Sequence, residues 1–193
     1  CNSMPEYMAV YLAYGRHSET IDLARYTSPN DIDVSKLIPN HSLRNPTAEK
    51  IIRETLQVVK AVEKAKQDYK PNLVYTHSGA DLNVDHRVVS NAVLTAFRPQ
   101  PMENCKEIRL FEEASATDYG NPAITGSFSP NLFVDITNKW EAKFDALNAY
   151  GSEMREYPHS RSVEGIKNLA RIRGNQVGVE LAEAFEIIRK IEQ

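Results

Sequence analysis

The chain has 193 residues, 41% hydrophobic and 25% charged, with a net charge of −3. That length suffices for one domain with a real core. No basic stripe is present to bind nucleic acid, and no apolar run approaches the length of a membrane span.

Cys1 and Cys105 are far apart and lack Cys-x-x-Cys spacing, so they imply neither a disulfide framework nor a zinc knuckle. A reducing cytoplasm is the expected setting. The sequence opens on Cys1 instead of methionine. A missing front portion is the favoured explanation, and a lipid-modified mature cysteine is the alternative.

Residues 1–45 carry the weakest patterns. Met8-Ala9-Val10-Tyr11-Leu12 suits a strand, and Ile21, Leu23 and Tyr26 alternate weakly. Asn30-Asp31-Ile32-Asp33 and Pro39-Asn40-His41-Ser42 read as loops. His17 and His41 read as surface residues, since nothing around them has metal-site spacing. Asn45-Pro46 then opens a helix in the favoured way, a capping residue followed by proline in the first turn. Ile52, Leu56, Val59 and Val62 form its apolar stripe, with Lys and Glu on the solvated side.

The chemistry concentrates in the next stretch. Asn72-Leu73-Val74-Tyr75-Thr76 reads as a short buried strand. From Asp85 the pattern turns helical: Val88, Val89, Ala92, Val93, Ala96 and Phe97 share one face, and Pro99 ends it. Between strand and helix stand His77, Asp81, Asn83, Asp85 and His86. A strand that feeds a polar loop and a helix is where open α/β sheets place ligands. Asn83 or Asp85 also suits a helix N-cap, and His77 also suits the end of a strand. A metal-binding histidine needs a carboxylate or carbonyl to orient its other ring nitrogen, and such groups converge here.

Residues 107–112 alternate like a strand, and residues 114–130 form a long loop rich in Ser, Thr, Gly, Pro and Asn. Glu112, Glu113, Thr117, Asp118 and Tyr119 are groups there able to reach a sugar; a mobile surface loop is an equal reading. Leu132-Phe133-Val134-Asp135-Ile136 is the next strand. Thr137 is expected to cap a helix whose Trp140, Phe144, Leu147 and Tyr150 face the core. Pro158-His159-Ser160-Arg161-Ser162 is a loop entering a helix at Ser162, with Gly174 as its stop. On spacing alone His159 and Arg161 are a surface pair. Residues 181–191 suit strand or helix equally. The alternation of strands and helices predicts an α/β, Rossmann-like three-layer sandwich with a mostly parallel sheet. The Gly-rich dinucleotide fingerprint is missing, so the fold does not imply NAD.

Thr76-His77 with Asp81-Leu82-Asn83-Val84-Asp85-His86-Arg87 resembles the second motif of the LmbE/PIG-L family of zinc-dependent de-N-acetylases. Further strings resemble the bacterial branch in the same order. They are Phe97-Arg98-Pro99, Ser129-Pro130-Asn131-Leu132-Phe133-Val134-Asp135-Ile136, Ser152-Glu153-Met154-Arg155, Pro158-His159-Ser160-Arg161-Ser162 and Gly178-Val179-Glu180 with Ala182-Glu183-Ala184-Phe185. The resemblance runs from about Pro71 to the end and implies one deacetylase domain over residues 1–193, lacking its N-terminal strand and first metal motif.

The resemblance implies a zinc cofactor and an N-acetylated amino sugar, or its conjugate, as small-molecule substrate. It matches His86 to the family's last zinc ligand. It implies that Asp85 orients the site, that Asn83 donates to an oxyanion where relatives carry histidine, and that Asp81 lines the loop. His77 becomes a neighbour of the metal or substrate, and His159 and Arg161 lie on the substrate side. The family's early His-Pro-Asp-Asp-Glu motif, which supplies two zinc ligands and the general base, is absent. Its nearest string, Ser28-Pro29-Asn30-Asp31-Ile32, retains one potential ligand, Asp31, and is read as a chance likeness. Three explanations follow: a missing front segment, which is favoured; a site completed by the N-terminal residues or a neighbouring copy in a homo-oligomer; or a non-catalytic relative that binds sugar or plays a structural part.

Overall fold

In the computed structural model, residues 8–9 and 46–192 are described, with side chains from Thr55 onward. The elements are β1 (Met8–Ala9), α1 (Pro46–Tyr69), β2 (Leu73–His77), α2 (Val84–Ala96), β3 (Glu107–Phe111), α3 (Pro122–Thr125), β4 (Leu132–Asp135), a 3-10 turn (Thr137–Lys139), α4 (Trp140–Ala149), α5 (Val163–Asn175) and β5 (Ala182–Lys190). His17, His41 and the 28–32 string lie outside the described residues.

The described residues form a mixed α/β fold with one five-stranded sheet in the order β1-β2-β3-β5-β4. β1, β2 and β3 run parallel, whereas β5 is antiparallel to both β3 and β4. The mostly parallel sheet expected from the sequence is therefore corrected to a mixed one. The single helix α2 between β2 and β3 returns the chain in the same direction, as parallel strands require. Two helices, α4 and α5, separate β4 from β5, and the chain re-enters the sheet reversed. β5 also resolves the ambiguity of residues 181–191 in favour of a strand.

The apolar stripes of α1 and α2 pack as their spacing predicts. Val62 of α1, Val74 of β2, Ile108 of β3 and Val89, Ala92, Val93 and Ala96 of α2 form one buried cluster with Phe97 and Cys105. A smaller cluster joins Ile136, Trp140, Ala170 and Leu181. Phe144 and Leu147 are only half-buried, and Tyr150 is exposed, so the expected core stripe of α4 reduces to Trp140. Thr137 does not cap that helix. Its amide donates to Asp135 Oδ1 at 2.9 Å, and its hydroxyl accepts from Leu181 N–H. Gly174 is not a stop either: it lies buried inside α5, where a Cβ would sit 2.5 Å from the Val179 carbonyl. The left-handed glycine of that turn is Gly178, with φ +77°. No helix among the described residues is long and apolar enough to cross a membrane.

Candidate functional site

Parallel register sets the site. β2 and β3 are paired from Leu73↔Glu107 to His77↔Phe111, so both strands end at the same level. The Ser78 amide adds one further bond, to the Phe111 carbonyl at 3.0 Å. Residues just beyond each strand therefore meet at the C-terminal edge, where open α/β sheets expose their ligand crevice. His77 closes β2, Glu113 follows β3, and α2 lifts His86 into the same space from its first turn.

α2 starts where it does because Asn83 caps it, with Oδ1 accepting from the Asp85 amide at 3.0 Å. The N-cap reading of Asn83 thus holds, and its amide NH2 is left pointing away from that bond. Asp85 stands exposed in the first turn, where a carboxylate suits the helix dipole, and acts on His86 only through its charge. The carboxylate in contact with His86 is Asp81, fully buried, with Oδ2 at 3.1 Å from His86 Nδ1. Asp81 is itself fixed. Its Oδ1 accepts from the Asn83 amide at 2.7 Å, its Oδ2 accepts from the Thr117 hydroxyl at 3.3 Å, and its carbonyl accepts from Arg87.

The imidazoles of His77 and His86 stack with centroids 4.1 Å apart and planes 19° from parallel. Glu113 Oε2 lies 3.5 Å from His77 Nε2 and 3.5 Å from His86 Nδ1. One potential ligand atom from each of these three residues falls within 4.8 Å of the others. His77 is buried, and its Nδ1 has no hydrogen-bond partner. Burial first, and then the His86 charge, lowers its pKa to about 4, against a small opposing pull from Asp81. His77 is thus neutral at neutral pH and offers a lone pair. Burial also disfavours the charged form of His86, but the Asp81 hydrogen bond and the charges of Glu113, Asp81 and Asp85 together raise its pKa. Burial raises Glu113, with Asp81 adding to the rise and His86 opposing it.

The other two predicted residues approach from the second half of the chain. His159 and Arg161 sit in the loop before α5. The Arg161 amide donates to His159 Nδ1 at 3.0 Å, and the Arg161 guanidinium pairs with Glu153 at 3.1 Å. Tyr119 meets His159 edge-on at 6.2 Å, and the charges of Arg161 and Glu153 both act on Glu113. The loop therefore borders Glu113. Glu113 is the residue that the sequence marked only as one of several polar groups near a loop. Its signal was positional: two residues past β3, it occupies the edge that His77 occupies on β2.

The group has the donor set of a transition-metal site. Two imidazoles and a carboxylate suit zinc and its neighbours better than magnesium or calcium. Two ligands on one tetrahedral ion stand about 3.3–3.6 Å apart when metal–ligand bonds are about 2.0–2.2 Å. The separation of Glu113 Oε2 from His77 Nε2 matches that spacing, whereas the one from His86 is measured at Nδ1, the nitrogen that Asp81 holds. An aspartate bonded to the non-ligating nitrogen of a metal-binding histidine is the usual second partner, and Asp81 supplies it for His86.

No protein-family model matches the chain. Among solved structures it is similar to N,N'-diacetylchitobiose deacetylase from Pyrococcus horikoshii, at 20% identity and a TM-score of 0.52. That match covers 69% of this chain and 51% of the other. The zinc-inhibited form of teicoplanin deacetylase Orf2 matches at 18% identity and TM-score 0.53, over 81% of this chain and 57% of that one. The 4-carboxy-2-hydroxymuconate hydratase from Pseudomonas putida KT2440 matches at 17% identity and TM-score 0.51, over 70% and 60%. At these identities the likeness defines the fold. The chain spans between half and three fifths of the length of these proteins.

Proposed function

We propose that this chain is a hydrolase of the deacetylase type, which removes the N-acetyl group from an N-acetylated amino sugar or its conjugate with zinc bound at His86. The observation that carries the reading is the His86 imidazole at the sheet's C-terminal edge, oriented by buried Asp81 and faced by Glu113 and neutral His77. The motif order around it and the fold shared with two deacetylases support the same reading. The three-layer Rossmann-like sandwich belongs to it too, supported by α2 packed beside β2, α1 against α2, and α5 beside β5.

An amide is a poor electrophile and water a poor nucleophile. Bound zinc lowers the pKa of water toward about 7 and polarises the carbonyl. The chain's own residues do the rest. Asp81 fixes the His86 ring. The free amide NH2 of Asn83 is available to donate to the developing oxyanion. His159 and Arg161 line the side from which a sugar would approach, with Tyr119 beside them.

The fold does not choose the chemistry, because a hydratase shares it. A second reading on the same fold is a non-catalytic sugar-binding relative.

Metal analysis of the purified full chain, with acetate release from N-acetylglucosamine and its conjugates, separates these readings. Stoichiometric zinc and released acetate, both lost in His86→Ala, are the expected result. Sugar binding without acetate release would leave the non-catalytic reading. Neither zinc nor acetate would overturn the hydrolase.

A further inference from the structure

We infer that Thr117 is a positioning residue: its hydroxyl, shared between Asp81 and the Glu113 amide, keeps His86 in the Nδ1–H tautomer and in place beside Glu113. Acetate release, one readout of this role, rests on the proposed function; the tautomer of the ring does not.

Donor and acceptor roles single out this hydroxyl. A threonine side chain has one proton to give and two lone pairs. The Glu113 N–H can only donate, and it reaches Thr117 Oγ1 at 2.8 Å. That bond fills one lone pair and leaves the hydroxyl proton for Asp81 Oδ2, at 3.3 Å. The same carboxylate oxygen faces His86 Nδ1 at 3.1 Å. Its twin, Oδ1, is taken by the Asn83 amide at 2.7 Å. Asp81 is fully buried, so water does not stand in for a lost donor. Thr117 therefore helps to fix where Oδ2 sits. The position of Oδ2 in turn decides which His86 nitrogen carries the proton.

The hydroxyl works where strand pairing has ended. The β2–β3 ladder closes with the Ser78 amide on the Phe111 carbonyl. Beyond that level the two loops are tied by the Leu82 amide, donating to the Ala116 carbonyl at 3.0 Å, and by the Thr117 hydroxyl. The loops also lie close: a Cβ on Gly120 would stand 2.8 Å from the Ala80 carbonyl. The backbone tie sets the spacing of the loops, and the side-chain tie reaches the carboxylate that touches the imidazole.

The turn after β3 does not need the hydroxyl. The Ala116 and Thr117 amides donate to the Glu113 carbonyl at 3.2 and 2.9 Å. Thr117→Val, close in shape, should remove both side-chain bonds and keep the turn. Thr117 also has no proton left to give a sugar, so its part is played inside the protein.

The test compares Thr117→Val with the conservative Thr117→Ser in the full, metal-free chain. Long-range proton–nitrogen NMR at alkaline pH, where the ring is neutral, reads the His86 tautomer directly. Wild type and Thr117→Ser should carry the proton on Nδ1, and Thr117→Val should show a mixture with Nε2–H. In acetate release, Thr117→Val should lose about 10-fold in kcat with KM unchanged, the low end of what losing an outer partner costs. Thr117→Ser should restore it. Urea unfolding identifies a variant that does not fold, and Thr117→Ala then takes the place of Thr117→Val. An Nδ1–H tautomer kept in the folded Thr117→Val, or an Nε2–H tautomer in the wild type, would overturn the role. Equal losses in Thr117→Ser and Thr117→Val would overturn it too, because the hydroxyl would not be the cause. A wild type that releases no acetate would sink the deacetylase, and the tautomer alone would then decide for or against Thr117.

Discussion

The half of the chain that carries His77 and His86 and the half that carries His159 are held in shape by different means. In the first, parallel strands and two helices enclose nine buried residues, among them Phe97, Val93 and Val74, each fully buried. The second has a smaller apolar cluster, Ile136, Trp140, Ala170 and Leu181, and leans on polar ties. Asn131 grips the backbone of Ile187 through its side-chain oxygen at 2.7 Å, and Lys143 pairs with Glu183. A bidentate Arg173–Glu112 pair, at 2.6 and 2.5 Å, fastens α5 to the end of β3. The difference teaches where precision is needed. His77, His86 and Glu113 hang from the apolar half. The His159–Arg161 loop, which the proposed function gives to the substrate, hangs from the half with the smaller apolar cluster.

The comparison breaks first on the cores. Phe97→Ala empties the centre of the larger cluster and should cost about 3–5 kcal/mol in chemical denaturation. Trp140→Ala, in the smaller cluster, should fall at the low end of that range. Equal costs would mean that the two halves share one core.

A pH series sharpens it next. His77 has a folded pKa of about 4 against an ordinary 6.5. The unfolded chain therefore binds the proton first as pH falls. Stability is fully present above pH 6.5 and is lost between 6.5 and 4, by about 3 kcal/mol at most. Glu113, held above its ordinary range, offsets part of this loss in the same direction of titration. His86 has the opposite sign: its raised pKa contributes stability that is lost as pH rises above 6.5. Urea midpoints of metal-free protein at pH 7 and pH 4.5, in the wild type and His77→Gln, should show the acid loss shrinking in the variant. An unchanged acid slope would mean that His77 is not the buried neutral group.

Much of the first half was legible in the sequence because its signals are local. The 72–76 apolar run gave β2, the i, i+3, i+4 pattern gave α2, and Asn83 gave its cap. The convergence of His77, Asp81 and His86 followed from a short loop between them. Glu113 was not singled out, since its neighbourhood is a fact of strand register between segments 34 residues apart. The second half was harder for the same reason. Nothing local in residues 181–191 distinguishes strand from helix, because β5 is fixed by pairing with β3 and β4. Nor does spacing reveal that Gly174 serves a close approach of the Val179 and Glu180 carbonyls instead of a turn.

Asp81→Asn tests whether the ordered half orders the site. Asparagine keeps the shape and the acceptor oxygen but loses the charge that orients the imidazole. The effect should be about 10- to 100-fold on acetate release and on metal affinity, with no loss of the Asn83 turn. Parallel losses in both readouts are expected. A variant that binds metal normally and is slow only in turnover would move Asp81 from holding the ring to handling a proton.

The smallest effect probes the second half. Ser162 caps α5, its Oγ accepting from the Gly165 amide at 2.9 Å, and is buried. Ser162→Ala should cost about 1 kcal/mol of stability, read as a shift in urea midpoint. The cap also sets the exit of the His159–Arg161 loop. Gly165 packs so closely beneath it that a Cβ would lie 2.5 Å from the Ser160 carbonyl. If that loop receives the sugar, Ser162→Ala raises KM for acetate release while kcat holds, because the ligands of the first half are untouched. A fall in kcat with KM unchanged would mean that Arg161, whose charge reaches Glu113, belongs with the ordered group.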